Sequence, residues 1–320
     1  MTLQQVNEKW MSFKREQSLN CDLQIEEILS DAPKGVEASF DLQELMTGRV
    51  VLHVSDQLDL CRKDYVDFVL YHEFTHLYDF YSCPYTQGRQ EDFFGYMNSF
   101  SEFHASRLSL AQILRADISC RTFIGSPAGS GPGLPMAIMD RSGLLPQPDR
   151  TGSIRQLLNH CYGRAKNGFE KFQELSIPQI FQFCFKQVMY IFGYVSLFES
   201  AEVMVRQVCR ELGLTEDHYM KLYGALLASE TEEVLSATRM IYEEAYVPFV
   251  KAFAGKDGSA PEEGADYWEM IGGDSGDWNW GGRSRANVGV RQKFKGFRSG
   301  RHNTPVKSVE DLKREIGLKD

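Results

Sequence analysis

Several features common in other protein classes are scarce or missing in this 320-residue chain. It has no CxxC pair, and its seven cysteines (Cys21, Cys61, Cys83, Cys120, Cys161, Cys184, Cys209) are odd in number and widely scattered. That argues against a disulfide framework and against a thiolate zinc site, and it fits a reducing compartment. The opening "MTLQQVNEKWMSFKREQ" has no apolar core, so no secretory leader is expected and the setting reads as cytoplasmic. The most apolar run, "IFQFCFKQVMYIFGYVSLF" (180–198), carries Lys186 and Gln187 at its middle, where a membrane span would suffer most. It reads as a buried core helix, with no membrane partner. No internal repeat is visible. A net charge of −9 and a pI near 5.4 argue against a whole-protein nucleic-acid binder.

What is present is an ordinary globular balance, 42% hydrophobic and 25% charged, sufficient for a substantial core. The charge is uneven. Residues 281–320 hold eleven Lys/Arg against four Asp/Glu, so this tail carries +7 and the preceding 280 residues carry −16. With Phe294 and Phe297 interleaved, the basic tail is compatible with nucleic acid or an acidic partner, although such runs are more often solvated ends.

Along the chain, residues 1–30 are polar with helical spacing. "GRVVLHVS" (48–55) reads as a strand, being short, β-branched and bounded by Gly48 and Asp56. Residues 62–81 have helical apolar spacing and stop before Pro84. A loop is expected over 87–96 and a second long helix over 97–116. Residues 125–152 are rich in Gly, Pro and Ser and read as a linker or an ordered surface loop. Helical patterns follow over 153–175, 178–200, 201–212 and 215–253, the last broken near Ser229. The expected organisation is α+β: a core over 1–124, a helical region over 153–254 packed on it, and a basic, disordered tail over 255–320 with a short helix at 308–318.

The chemistry concentrates in "YHEFTHLYDF" (71–80). His72 and His76 lie four apart, hence on one helix face with Cβ atoms about 5–6 Å apart, a separation at which two imidazoles converge on one cation. Zinc takes neutral imidazole nitrogens at about 2.0–2.1 Å, and a catalytic site has three protein ligands with a fourth position for water. The cation brings the pKa of that water to about 7. Glu73, about 100° round the helix from His72, can face the water as general base without competing for the metal. The alternative is that both histidines are ordinary helix residues. HExxH arises by chance in about 1% of shuffled chains of this composition, and its mid-helix place behind a strand favours the metal.

A third ligand must come from elsewhere. Asp79 and Ser82 occupy the places where HExxHxxGxxH needs Gly and His, so that arrangement is excluded. Glu91, Asp92, Glu102 and His104 are the candidates. Glu102 is favoured because it sits inside the second helix with small or polar neighbours Asn98, Ala105 and Ser106; His104 is expected on the opposite face. Asp79 shares the motif face. It is either a carboxylate supporting a ligand histidine or a helix-end acid near solvent. His53 reads as a plain strand histidine, in a strand where an extended substrate would otherwise add. Tyr71, Tyr96, Arg107, His160 and Tyr194 remain open as oxyanion stabilisers.

The matching segments "RVVLHVS", "HEFTH" and "SEFHASRLSL" resemble the glutamate-zincins, and in detail the ImmA/IrrE-type intracellular zinc peptidases, over about residues 45–116. The resemblance implies a zincin-like core of a small sheet with an HExxH helix and a Glu-bearing helix. It also implies one catalytic Zn²⁺ on His72, His76 and Glu102, Glu73 as base, and hydrolysis of a peptide bond in a protein or peptide substrate. "SEFHASRL" departs from the family's second motif, and no helix-turn-helix partner domain is evident. The competing expectation is a regulatory or scaffolding protein, with structural zinc and a partner-binding tail.

Overall fold

The computed structural model describes residues 1–32, 36–85, 90–124, 133–166 and 177–245. Those residues form an α+β fold that is mostly helical, with two small sheets. The expected tail over 255–320 and its short helix lie outside the described residues.

Helix α1 (Leu3–Glu16) starts at a capping box between Thr2 and Gln5. It ends far short of residue 30, and the chain continues extended into strand β1 (Glu27–Leu29). Strand β2 (Ala38–Phe40) and the short helix α2 (Leu42–Met46) lead into β3 (Val51–Val54). β3 lies at the centre of the sheet in the order β1-β3-β2, parallel to β1 and antiparallel to β2, with His53 opposite Leu29 on one side and Ser39 on the other. Both edges of β3 are therefore taken. A substrate strand can add only at β1 or β2, which removes the strand-addition reading of His53.

Helix α3 (Lys63–Ser82) packs on β2 with its apolar side and takes α1 along its flank. There Trp10 meets Phe74 with ring centroids at 5.4 Å, and Phe13 meets Tyr71 at 5.2 Å, both edge to face. The expected loop over 87–96 is helical from Gln90: α4 (Gln90–Tyr96) carries the buried Phe93 and Phe94 and runs through one π-helical turn (Met97–Ser101) into α5 (Glu102–Ala116). Two adjacent apolar rings in a polar stretch were enough to anchor it. Helix α6 (Ile118–Ile124) follows.

Of the Gly/Pro-rich stretch, residues 133–152 are described and are tied down. Leu134 bridges Phe198, a 3₁₀ turn covers Met136–Asp140, and β4 (Leu145–Pro146) pairs with β5 (Thr151–Gly152). Then come α7 (Ile154–Lys166), α8 (Ile177–Val195), α9 (Ala201–Leu212), α10 (Glu216–Ala228) and α11 (Thr231–Met240), the last continued by a π-helical turn (Ile241–Ala245). Ser229, at φ 56°, breaks the chain between α10 and α11 where the sequence places a break.

Helix α5 is the axis of the fold, packed against α3 on one side and α8 on the other. The α5–α8 contact is close because of Gly193. A Cβ there would collide with the Phe103 carbonyl oxygen and lie 2.7 Å from Ser106 Cβ. The 180–198 run is thus a core helix, and no described helix is long and apolar enough to cross a membrane.

Candidate metal centre

Three elements converge on one buried point. Helix α3 supplies His72, Glu73 and His76, α5 supplies Glu102 at its first turn, and α8 supplies Lys186. A π-helical turn directly precedes Glu102, an irregularity frequent at functional sites.

His72 Nε2 and His76 Nε2 are 3.1 Å apart, and Glu102 Oε2 lies 3.3 Å from His76 Nε2 and 3.8 Å from His72 Nε2. Tetrahedral ligation at about 2.0–2.1 Å requires donor–donor separations of about 3.3 Å, so these three atoms already span one face of such a polyhedron. Among the described residues this is the one group of His, Cys, Asp and Glu donors with that convergence. The candidates Glu102 and His76 are fully or almost fully buried, and His72 keeps partial exposure. Glu73 is buried, and its Oε2 has no hydrogen-bond partner. Neither do the Glu102 oxygens receive a well-aligned hydrogen bond; their contacts with His76 and Lys186 are ion pairs. A buried carboxylate oxygen without a hydrogen bond is costly; with Lys186 at Oε1, Glu102 Oε2 is the oxygen that a cation shared with the two imidazoles would fit.

The protonation states suit ligation. Burial, then His76, pushes His72 down to about 3 against the opposing pull of Glu102, so its imidazole is neutral. Burial alone would raise Glu102, but Lys186 first, then His76 and His72, hold it well below the usual carboxylate range. Burial, then the Glu102 charge, pushes Glu73 well above that range. A nearby cation acts on Glu73 in the opposite sense and favours the base form.

Asp79 is not a helix-end acid at the surface. It is buried, not near solvent, and it accepts a hydrogen bond from Ser101 Oγ at 2.8 Å. Because the hydroxyl proton points to Asp79, Ser101 Oγ accepts from His76 Nδ1, also at 2.8 Å. This places the His76 proton on Nδ1 and leaves Nε2 bare toward Glu102 and His72. The carboxylate support is therefore relayed through a serine that sequence reasoning did not single out.

His104 does not point away from α3, as its position on the helical wheel suggested. It reaches Asp79 Oδ1 with Nδ1 at 2.9 Å and does not join the donor cluster. Three residues after Ser101, it shares the flank facing the last turns of α3. Asp92 lies on α4 outside the cluster, and the Glu91 side chain is outside the described residues.

The oxyanion candidates separate. Tyr71 donates to Glu16 at 2.9 Å on the α1 side, Tyr96 stacks on Phe100, Arg107 lies beside Tyr223, and His160 is exposed on α7. Tyr194 is buried on α8 and feels the Glu102 charge. A tyrosine not singled out, Tyr190, comes nearer to the cluster. Its ring meets His72 at 5.6 Å, and its hydroxyl is pushed up by burial, then by Glu102, and also by Glu73. Lys186 and Tyr190 are four apart on α8; the signal for both was a lysine placed mid-way along the most apolar run.

No family model matches this chain, and no curated protein or solved structure matches it.

Proposed function

We propose that this chain is a zinc-dependent endopeptidase of the glutamate-zincin type, hydrolysing a peptide bond in a protein substrate. The observation that carries the reading is the convergence of His72, His76 and Glu102 Oε2 beside Glu73, whose buried Oε2 has no hydrogen-bond partner. The likeness of "HEFTH" and the following Glu-bearing helix to intracellular zinc peptidases supports the substrate class. The seven free cysteines support a reducing, cytoplasmic setting.

A divalent ion held by the three donors would supply Lewis-acid polarisation of a carbonyl and a more acidic water. The remaining work falls to the protein. Glu73 takes a proton from the attacking water and passes it to the leaving amine nitrogen. Ser101 and Asp79 hold the His76 ring and its tautomer. Tyr190 forms the wall beside His72, the ligand that keeps partial exposure. A purely structural zinc is less well supported, because the described donors number three and His104, a candidate fourth, is engaged by Asp79.

The test is zinc content by mass spectrometry, followed by proteome-wide mapping of new N-termini in cells expressing wild type or Glu73→Gln. The expected result is one zinc per chain in both and new termini only with wild type. Identical termini in the two would remove the peptidase reading.

A further inference from the structure

The most unusual member of the centre is Lys186. It is 5% exposed, lies in the middle of an apolar helix between Phe185 and the buried Gln187, and places Nζ 2.9 Å from Glu102 Oε1. The Glu102 carboxylate is thus divided, with one oxygen toward an ammonium and the other toward two imidazoles. An isolated buried carboxylate is among the costliest groups a core can hold, and a buried ammonium equally so. Each offsets the other here without any ion. The same ammonium stands one carboxylate away from wherever a cation on Oε2 would sit, and like charges repel strongly at that range in a medium of low dielectric.

We propose that Lys186 is a resident counter-cation for Glu102. It keeps the α5–α8 core folded when the centre holds no metal, and it lowers the affinity of the centre for a divalent ion. The centre is then a reversibly loaded one, responsive to the free zinc level, rather than a site that must be filled for the chain to fold. The affinity half of this inference rests on the metal reading above; the folding half does not.

The experiment compares full-length wild type, Lys186→Met, Glu102→Gln and the double variant by thermal unfolding in chelator and with added Zn²⁺, and measures Zn²⁺ affinity by competition with a chromophoric chelator. In chelator, Lys186→Met is expected to unfold about 10 °C lower than wild type. Adding Glu102→Gln to it should restore most of that loss, because the stranded charge is gone. Added Zn²⁺ should raise Lys186→Met far more than wild type, and its Zn²⁺ affinity should rise at least about 10-fold. Should Lys186→Met fail to fold alone, recovery by the double variant supports the charge role. Failure of both assigns Lys186 to packing and overturns the proposal. Equal unfolding of wild type and Lys186→Met in chelator overturns the folding half, and unchanged or weaker Zn²⁺ binding by Lys186→Met overturns the affinity half. If wild type takes up no Zn²⁺ at all, the peptidase reading and the affinity half fall together, while the comparison in chelator still decides the folding half.

Discussion

Two histidine–carboxylate clusters in this chain behave in opposite ways. On β3, His53 places Nδ1 2.6 Å from Asp31 Oδ1 and Nε2 2.9 Å from Glu44 Oε2, and both carboxylates keep contact with solvent. Burial works to lower this histidine, but the hydrogen bonds it donates to Glu44 and Asp31 prevail and raise it. At the candidate metal centre, His72 faces a carboxylate that is shared with His76 and neutralised by Lys186, and burial drives it down to about 3. The same pair of residue types therefore raises a histidine between the chain just after β1, α2 and β3 in one place and leaves a neutral imidazole in the candidate metal centre in the other. The deciding factors are burial, the largest influence on His72, and the two carboxylate hydrogen bonds that offset it at His53.

The comparison breaks most severely at the centre. His72→Ala should abolish both zinc content and hydrolysis, whereas Glu73→Gln should keep the zinc and lose about 10³-fold in cleavage rate; His53→Gln should change neither. Metal content and cleavage of a mapped substrate decide it, and full activity in Glu73→Gln would refute the base.

A smaller effect is expected one step out. Ser101→Ala frees the His76 proton from its relay to Asp79, and the dissociation constant for Zn²⁺ should rise about 10–100-fold. Affinity equal to wild type would show that the relay does not orient the ring.

Smaller again is the packing that brings Lys186 to Glu102. Gly193→Ala forces α8 away from the Phe103 carbonyl and should cost about 1–3 kcal/mol in denaturant unfolding. An unchanged midpoint would mean that α5 and α8 tolerate a wider spacing.

The mildest test sharpens the contrast through pH. A raised histidine contributes stability that is complete below its unfolded pKa of about 6.5 and is lost as pH rises through its higher folded value. The contribution of His53 is therefore lost as pH rises from about 6.5 through its raised folded value. The depressed His72 has the opposite sign. In metal-free protein its contribution is present above about 6.5 and is lost as pH falls toward 3. Urea midpoints from pH 6 to 8.5 should fall in wild type relative to His53→Gln. Parallel profiles would show that His53 is not raised in the folded protein.

Parts of this were legible in the residues. The HExxH spacing, a mid-length helix stopped before Pro84, the break at Ser229 and the preference for Glu102 all follow from helical periodicity and local turn chemistry. β1 and β2 were not legible, because three residues are too few for period-two alternation to stand out, and their pairing with β3 depends on partners distant in sequence. The helical start at Gln90 was hidden by polar residues whose neighbours Phe93 and Phe94 declare themselves only when buried. His104 stands outside the donor cluster, as expected, but its contact with Asp79 was not legible, because a helical wheel does not show which residues of α3 come within reach.

By itself the sequence determined that two imidazoles share one helix face with a glutamate beside them, since a covalent spacing of four residues dictates a common face at 3.6 residues per turn. Only tertiary structure decided which distant groups meet them: Glu102 after a π-helical turn, Ser101 and Asp79 behind His76, and Lys186 drawn in by the close approach at Gly193. Those meetings depend on helix packing and on the balance of buried charge. Both are properties of groups separated by up to 114 positions, His72 to Lys186, and no local pattern encodes them.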